Sequence, residues 1–148
     1  MTVASSPGQP VTGDRQVTGT AKTISLPRLL AFAGGPLKAS GWPMGGQHTN
    51  SAVAKDAGLR APLVEGTQVE SLLIGFLVEV FGPAWFAGSR LEVKYIKPVL
   101  AGSTVTPHLV ILDEAPDGGL RCEVWCENEN AEKVLVGTAV CQGSIDTP

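Results

Sequence analysis

Between Gly66 and the Gly82-Pro83 pair lies the segment Thr67–Phe81, which constrains the fold more than any other part of the chain. Its apolar residues are Val69, Leu72, Leu73, Ile74, Phe76, Leu77, Val78, Val80 and Phe81. They recur at helical spacing but cover more than one face. A surface helix carries a single apolar stripe, whereas a helix that is apolar nearly all round is a buried one. Gly66 opens the segment and Gly82-Pro83 stops it, so the rest of the chain has to enclose a helix of about fifteen residues.

The enclosing material reads as β-structure. Arg90–Ile96 alternates Leu91, Val93 and Tyr95 against Arg90, Glu92 and Lys94. A strand over Val105–Leu112 follows the Ala101-Gly102 turn, and Asp113–Gly119 supplies hairpin residues. Leu120, Cys122, Val124 and Cys126 then alternate with Arg121, Glu123, Trp125 and Glu127, and a last strand runs over Lys133–Gln142. One buried helix followed by a meander of antiparallel strands predicts an α+β chain in which the sheet wraps the long central helix, the hot-dog fold.

Upstream, residues 1–16 are rich in Ser, Pro, Gly and Gln and read as a flexible N-terminal tail, leaving 17–148 as a single domain. A short strand is expected at Val17–Ile24. Ser25 then caps a short helix that contains Pro27 and ends at Gly34-Gly35. Pro36 to Gln47 reads as a loop, and Asn50 caps a second short helix, Ser51–Ala57, which Gly58 stops.

Charge excludes some partners. The net charge of −3 gives no polybasic nucleic-acid signature. Residues 1–60 carry a balance of +4 and residues 61–148 one of −7; a small anionic ligand could exploit the first part, although scattered surface charge is the commoner explanation. The longest uncharged window of the apolar helix, Ser71–Val78, falls far short of the roughly 18–20 residues of a membrane span. The N-terminal residues lack the basic and apolar regions of a signal peptide. Cys122, Cys126 and Cys141 lie in strand-like segments as buried thiols, not as a disulfide framework or a zinc set. The expectation is a cytoplasmic protein with neither membrane nor nucleic-acid partner.

Residues 48–66, HTNSAVAKDAGLRAPLVEG, carry a spaced pattern: His48, Ala54, Gly58, Pro62-Leu63 and Gly66. With VKYIKPVLAGSTV at Val93–Val105, this resembles the MaoC-like (R)-specific enoyl-thioester hydratases and dehydratases over roughly Ile24 to Gln142. The resemblance implies a hot-dog domain acting on an acyl-CoA or acyl carrier protein thioester. It also implies a homodimer, with a heteromer as the alternative, and no metal or redox cofactor. One departure is explicit. Hydratases of the family carry Asp-x-Asn-Pro-x-His, but here Pro43 stands at the Asp position and Gly45-Gly46 at Asn-Pro. No Asp or Glu occurs between Arg15 and Lys55, so no shift of alignment there restores the carboxylate.

The candidate site follows from these residues. A histidine near neutral pKa takes a proton from water or carbon and returns it, which makes His48 the candidate base. Unpaired amides where Gly66 opens the helix can hold a thioester carbonyl and stabilise the enolate. Glu65 is the candidate substitute for the missing Asp; its bland alternative is a solvated first-turn acid favoured by the helix dipole. Gln47, Trp42 and Asn50 are candidates for contact with substrate, though Trp42 also suits a packing anchor and Asn50 an N-cap. Ser71 is expected to bond within its own helix, and His108 to be exposed. The readings that follow are a hydro-lyase, a double-bond isomerase or other proton-shuttling lyase, and a non-catalytic thioester-binding subunit of a heteromeric hydratase.

Overall fold

The computed structural model describes residues 15–34 and 45–145. Trp42 and residues 1–14 of the expected tail lie outside them. Six strands form one antiparallel arrangement: β1 (Arg15–Thr18), β2 (Lys22–Thr23), β3 (Arg90–Tyr95), β4 (Thr104–Glu114), β5 (Leu120–Glu127) and β6 (Lys133–Cys141). Among the described residues three α-helices accompany them: α1 (Leu26–Gly34), α2 (Ser51–Asp56) and α3 (Gly66–Phe81), the last followed by a 3-10 turn over Gly82–Phe86. The sheet wraps α3, as the hot-dog arrangement requires.

Helix α3 lays Val69, Leu73, Phe76, Leu77 and Phe81 into the core, where they meet Leu109, Ile111, Val124 and Leu135 from the inner face of the sheet. The far side of the helix is less covered than its composition implies: Leu72, Ile74, Val78 and Val80 are half-buried. Helix and turn together, Gly66–Phe86, span 21 residues at mean hydropathy 1.5, long and apolar enough by length and composition to cross a membrane. This corrects the expectation that no segment reaches that measure. The window tolerates Glu70 and Glu79, which had broken the helix into shorter uncharged runs. In the fold this segment is the core helix of the sheet.

The strand order β1-β4-β5-β6-β3, with β2 also on β4, corrects the expected simple meander. β4, β5 and β6 do follow one another, but β3 pairs with β6 at the far edge. The connection from β3 to β4 is not a hairpin. It is drawn across the helix end by bonds from Val64 N to Val99 O and from Ala101 N to Pro62 O, and by Gly102 N to Ile24 O, at 2.8, 2.9 and 2.8 Å. β3 is admitted beside β6 at Gly137, where any β-carbon would collide with the Glu92 carbonyl.

The N-terminal strand also differs from expectation. β1 begins at Arg15, inside the segment read as tail, because its backbone pairs with Val110 and Ile111 whatever its polar side chains suggest. The expected Val17–Ile24 strand is split at Gly19, which donates to the carbonyl of Pro107 at 2.8 Å. Pro107 has no N–H to return, so the ladder stops and restarts as β2. Gly19 also lies so close to Phe76 that a β-carbon would stand 2.6 Å from its ring.

His108 is buried rather than exposed, a further correction. Alternation does put it on the outer sheet face, but the Trp125 ring stacks on it at 5.1 Å and Thr18 Oγ1 lies 3.0 Å from its Nδ1. The three cysteines are buried and free, and burial pushes the Cys126 thiol up to about 12. Ser71 donates to Thr67 O at 2.7 Å, within its own helix as expected.

Candidate active site

The site lies where the chain enters α3. His48 stands in a turn that Gly46 closes by accepting from Thr49 N and Asn50 N at 3.1 and 2.9 Å. Leu63 grips this turn from the other side: its N–H donates to Gln47 O at 2.9 Å, and its carbonyl lies 2.7 Å from His48 Nδ1. Leu63 also bridges to Leu100, so the turn, the segment before α3 and the β3–β4 connection are bound together. Three residues after Leu63 the chain becomes helix. Sequence proximity thus places the imidazole beside the amide end of α3.

That end is open. Glu65 is the N-cap residue in extended conformation, but its side chain makes no capping bond. Gln68 N and Val69 N turn back to Glu65 O, whereas the amides of Gly66 and Thr67 have no acceptor among the described residues. These are the orphan donors of a helix start, and Gly66 and Thr67 both line a cavity.

The cavity has a volume of about 500 Å³ and is lined by His48, Glu65, Gly66 and Thr67 on its polar side. Leu63, Val69, Ile96, Val99 and Val134 supply apolar wall, and Tyr95 and Lys97 stand at its β3 end. Lys97 is engaged with Glu132 at 2.6 Å. Tyr95 donates to Glu70 Oε2 at 2.5 Å, and this bond, followed by burial and the charge of Glu70, raises the phenol to about 12.

The tautomer of His48 follows from its partner. A carbonyl oxygen can only accept, so Nδ1 carries the proton and donates to Leu63. In the neutral ring, Nε2 therefore keeps its lone pair, the form a general base requires. A neutral base, free amides and an apolar wall can together hold a polarised carbonyl and move a proton at a nearby carbon or water.

Of the residues singled out from sequence, the structure brings His48, Glu65 and Gly66 to this one cavity. No hydrogen bond or ion pair joins Glu65 to His48 among the described residues. Gln47 contributes its carbonyl to the Leu63 bond and does not line the cavity. Asn50 is occupied as the cap of α2, accepting from Ala52 N and Val53 N at 2.9 and 3.3 Å. Sequence reasoning passed over Tyr95 and Thr67. The available signal for Tyr95 was its alternation with Leu91 and Val93, which makes it the last inward residue of β3, level with the start of α3.

Comparison with solved structures places this fold. The chain superposes on the (R)-hydratase PhaJ1 of Pseudomonas aeruginosa with a TM-score of 0.73 at 18% identity, covering 91% of this chain and 83% of that one. The fold is that of the MaoC-like hydratases. A MaoC-like dehydratase from Rhodospirillum rubrum matches with a TM-score of 0.69 at 16% identity, over 95% of this chain and all of the other. The HadBC (3R)-hydroxyacyl-ACP dehydratase complex of Mycobacterium tuberculosis matches at 0.65 and 17% identity, over 90% and 97% of the two chains. No family model matches the sequence, and no curated protein matches it either.

Proposed function

We propose that this protein is a MaoC-like hydro-lyase that adds water to, or removes it from, an acyl thioester carried on CoA or an acyl carrier protein. The observation that carries the reading is the meeting in one largely apolar cavity of His48, its Nε2 without a bond among the described residues, and the Gly66 amide, likewise unbonded among them. The thioester oxygen binds at the Gly66 amide, and the acyl chain lies along the apolar wall. In hydration, His48 Nε2 takes a proton as water oxygen bonds to Cβ. The double-bond electrons shift toward the carbonyl, and the enolate oxygen is stabilised by the helix amide. The imidazolium then returns the proton to Cα, and dehydration reverses these steps.

Glu65, on the cavity wall and free of any capping duty, is the carboxylate proposed to orient water in place of the absent Asp. The lack of any acid between Arg15 and Lys55 favours a second reading. A base and an oxyanion hole without a water-holding carboxylate suit double-bond isomerisation, or thioester binding as one half of a heteromer.

A cytoplasmic homodimer is the proposed form. β3 lies at the sheet edge and its outer side is unpaired among the described residues. Sedimentation velocity checks the dimer.

The test of the reaction is incubation with crotonyl-CoA and with longer and aryl enoyl-CoAs, following enoyl absorbance and product mass, beside His48→Ala and Glu65→Gln. Hydration abolished in both variants is the expected result. Hydration that survives Glu65→Gln removes Glu65 from the mechanism. Binding without turnover on every substrate overturns the hydratase and leaves the isomerase or the subunit.

A further inference from the structure

Tyr95 and Glu70 take no part in the hydration chemistry proposed above, yet they are bonded to each other and Tyr95 lines the same cavity. A β-carbon built at position 66 would stand 2.8, 2.9 and 3.1 Å from Tyr95 Cε1, Cζ and Cδ1. Three successive ring atoms at nearly equal distance mean that the ring offers its face, not its edge, to the α-carbon of Gly66. Its hydroxyl then reaches Glu70, one helical turn further along α3. Tyr95 is 49% exposed, and an exposed aromatic at a strand end ordinarily has several rotamers open to it. The bond to Glu70 selects the one that packs against the α-carbon of Gly66. Both the ring and Gly66 line the cavity.

We propose that Tyr95, positioned by Glu70, is a specificity-determining residue that selects acyl thioesters unbranched at the carbon next to the carbonyl. The inference rests on the reading of Gly66 as the seat of the thioester oxygen. With the oxygen there, the substrate's Cα lies in the part of the cavity bounded by Gly66 and the Tyr95 ring. A hydrogen on Cα fits beside the ring. A methyl group in its place meets the ring, which lines the cavity beside Gly66. Because the ring is bonded to Glu70 as well as packed on Gly66, making room requires breaking the bond and moving the ring.

Isothermal titration calorimetry with butyryl-CoA and 2-methylbutyryl-CoA tests this without turnover, since both are saturated. The wild-type protein is expected to prefer the straight chain by about tenfold or more, the scale of one methyl group against a fixed wall. Tyr95→Ala is expected to bring the two affinities within about twofold. Tyr95→Leu, which keeps an apolar residue in the strand, serves as the second variant if the alanine form does not fold. Equal affinities in the wild type, or a preference that persists in the ring-less variants, overturn the role of Tyr95 while the thioester reading stands. Failure of the wild type to bind either ligand overturns both. Tyr95→Phe keeps the ring and loses the bond: a reduced preference upholds the positioning role of Glu70, and an undiminished one overturns it.

Discussion

His48 donates through Nδ1 to the carbonyl of Leu63 at 2.7 Å, three residues before the first residue of α3. The bond sets both the tautomer and the place of the ring, because Leu63 cannot move without the helix entry that follows it. It also separates two roles that substitution usually confounds. His48→Ala removes the base and one side-chain bond, but the Leu63 N to Gln47 O bond still holds the turn. The expected outcome is a loss of about 10²–10⁴-fold in kcat, the usual worth of a general base. The thermal midpoint should change little. A variant that instead unfolds in a thermal melt at ordinary temperature would assign His48 a structural role.

Gly66 is glycine because of Tyr95, not because of its own backbone. It is absent from the glycines in the left-handed region, so alanine there is conformationally acceptable and carries the better helix propensity. The ring forbids it. Gly66→Ala is expected to destabilise the protein by about 1–3 kcal/mol through overpacking. In a Tyr95→Ala background the same substitution should be neutral or stabilising. Urea denaturation of the four proteins of this double-mutant cycle measures the coupling, and additive effects would show that the two residues do not compete for space.

The buried helix and the strands after it were legible because their signals are local: an apolar run between Gly66 and Gly82-Pro83, then strict alternation in Arg90–Tyr95 and Leu120–Glu127. His48, Glu65 and Gly66 could be gathered for a related reason, since only sixteen residues, a short helix among them, lie between the first and the other two. What stayed hidden depends on contacts between distant segments. β3 chooses β6 rather than β4 because the chain after Tyr95 is bonded to the helix entry, and no periodicity within β3 reports that. His108 alternates like an exposed residue and is covered by Trp125 and Thr18. The Tyr95–Glu70 bond spans 25 residues and two elements, so neither residue signals the other.

Tyr95 is the sole tyrosine of the chain, so the tyrosinate absorbance of the whole protein reports its ionisation alone. The bond to Glu70, with burial and the Glu70 charge adding to it, raises the phenol from 10.0 to about 12. The folded state thus holds the proton more tightly than the unfolded chain does. The stabilisation this brings is fully present below pH 10.0 and is lost as pH rises through about 12. Glu70→Gln removes the charge and weakens the acceptor, so the spectroscopic midpoint should fall toward the ordinary value. An unchanged midpoint would mean that the phenol is not bonded to Glu70 in solution.

Asn50 offers the opposite test, of a residue next to the site that the structure assigns to folding. Its side-chain oxygen accepts from Ala52 N and Val53 N, two of the orphan donors at the start of α2. A carbonyl oxygen spent on two amides is poorly placed to bind substrate as well, and Asn50 does not line the cavity. Asn50→Ala is therefore expected to cost about 1 kcal/mol of stability, with Asn50→Ser or Asn50→Asp recovering most of it because each restores an N-cap acceptor. Affinity for butyryl-CoA should be the same in all three, measured well below the melting transition. An affinity that falls in Asn50→Ala and returns only with an amide at this position would move Asn50 from the cap of α2 into the binding site.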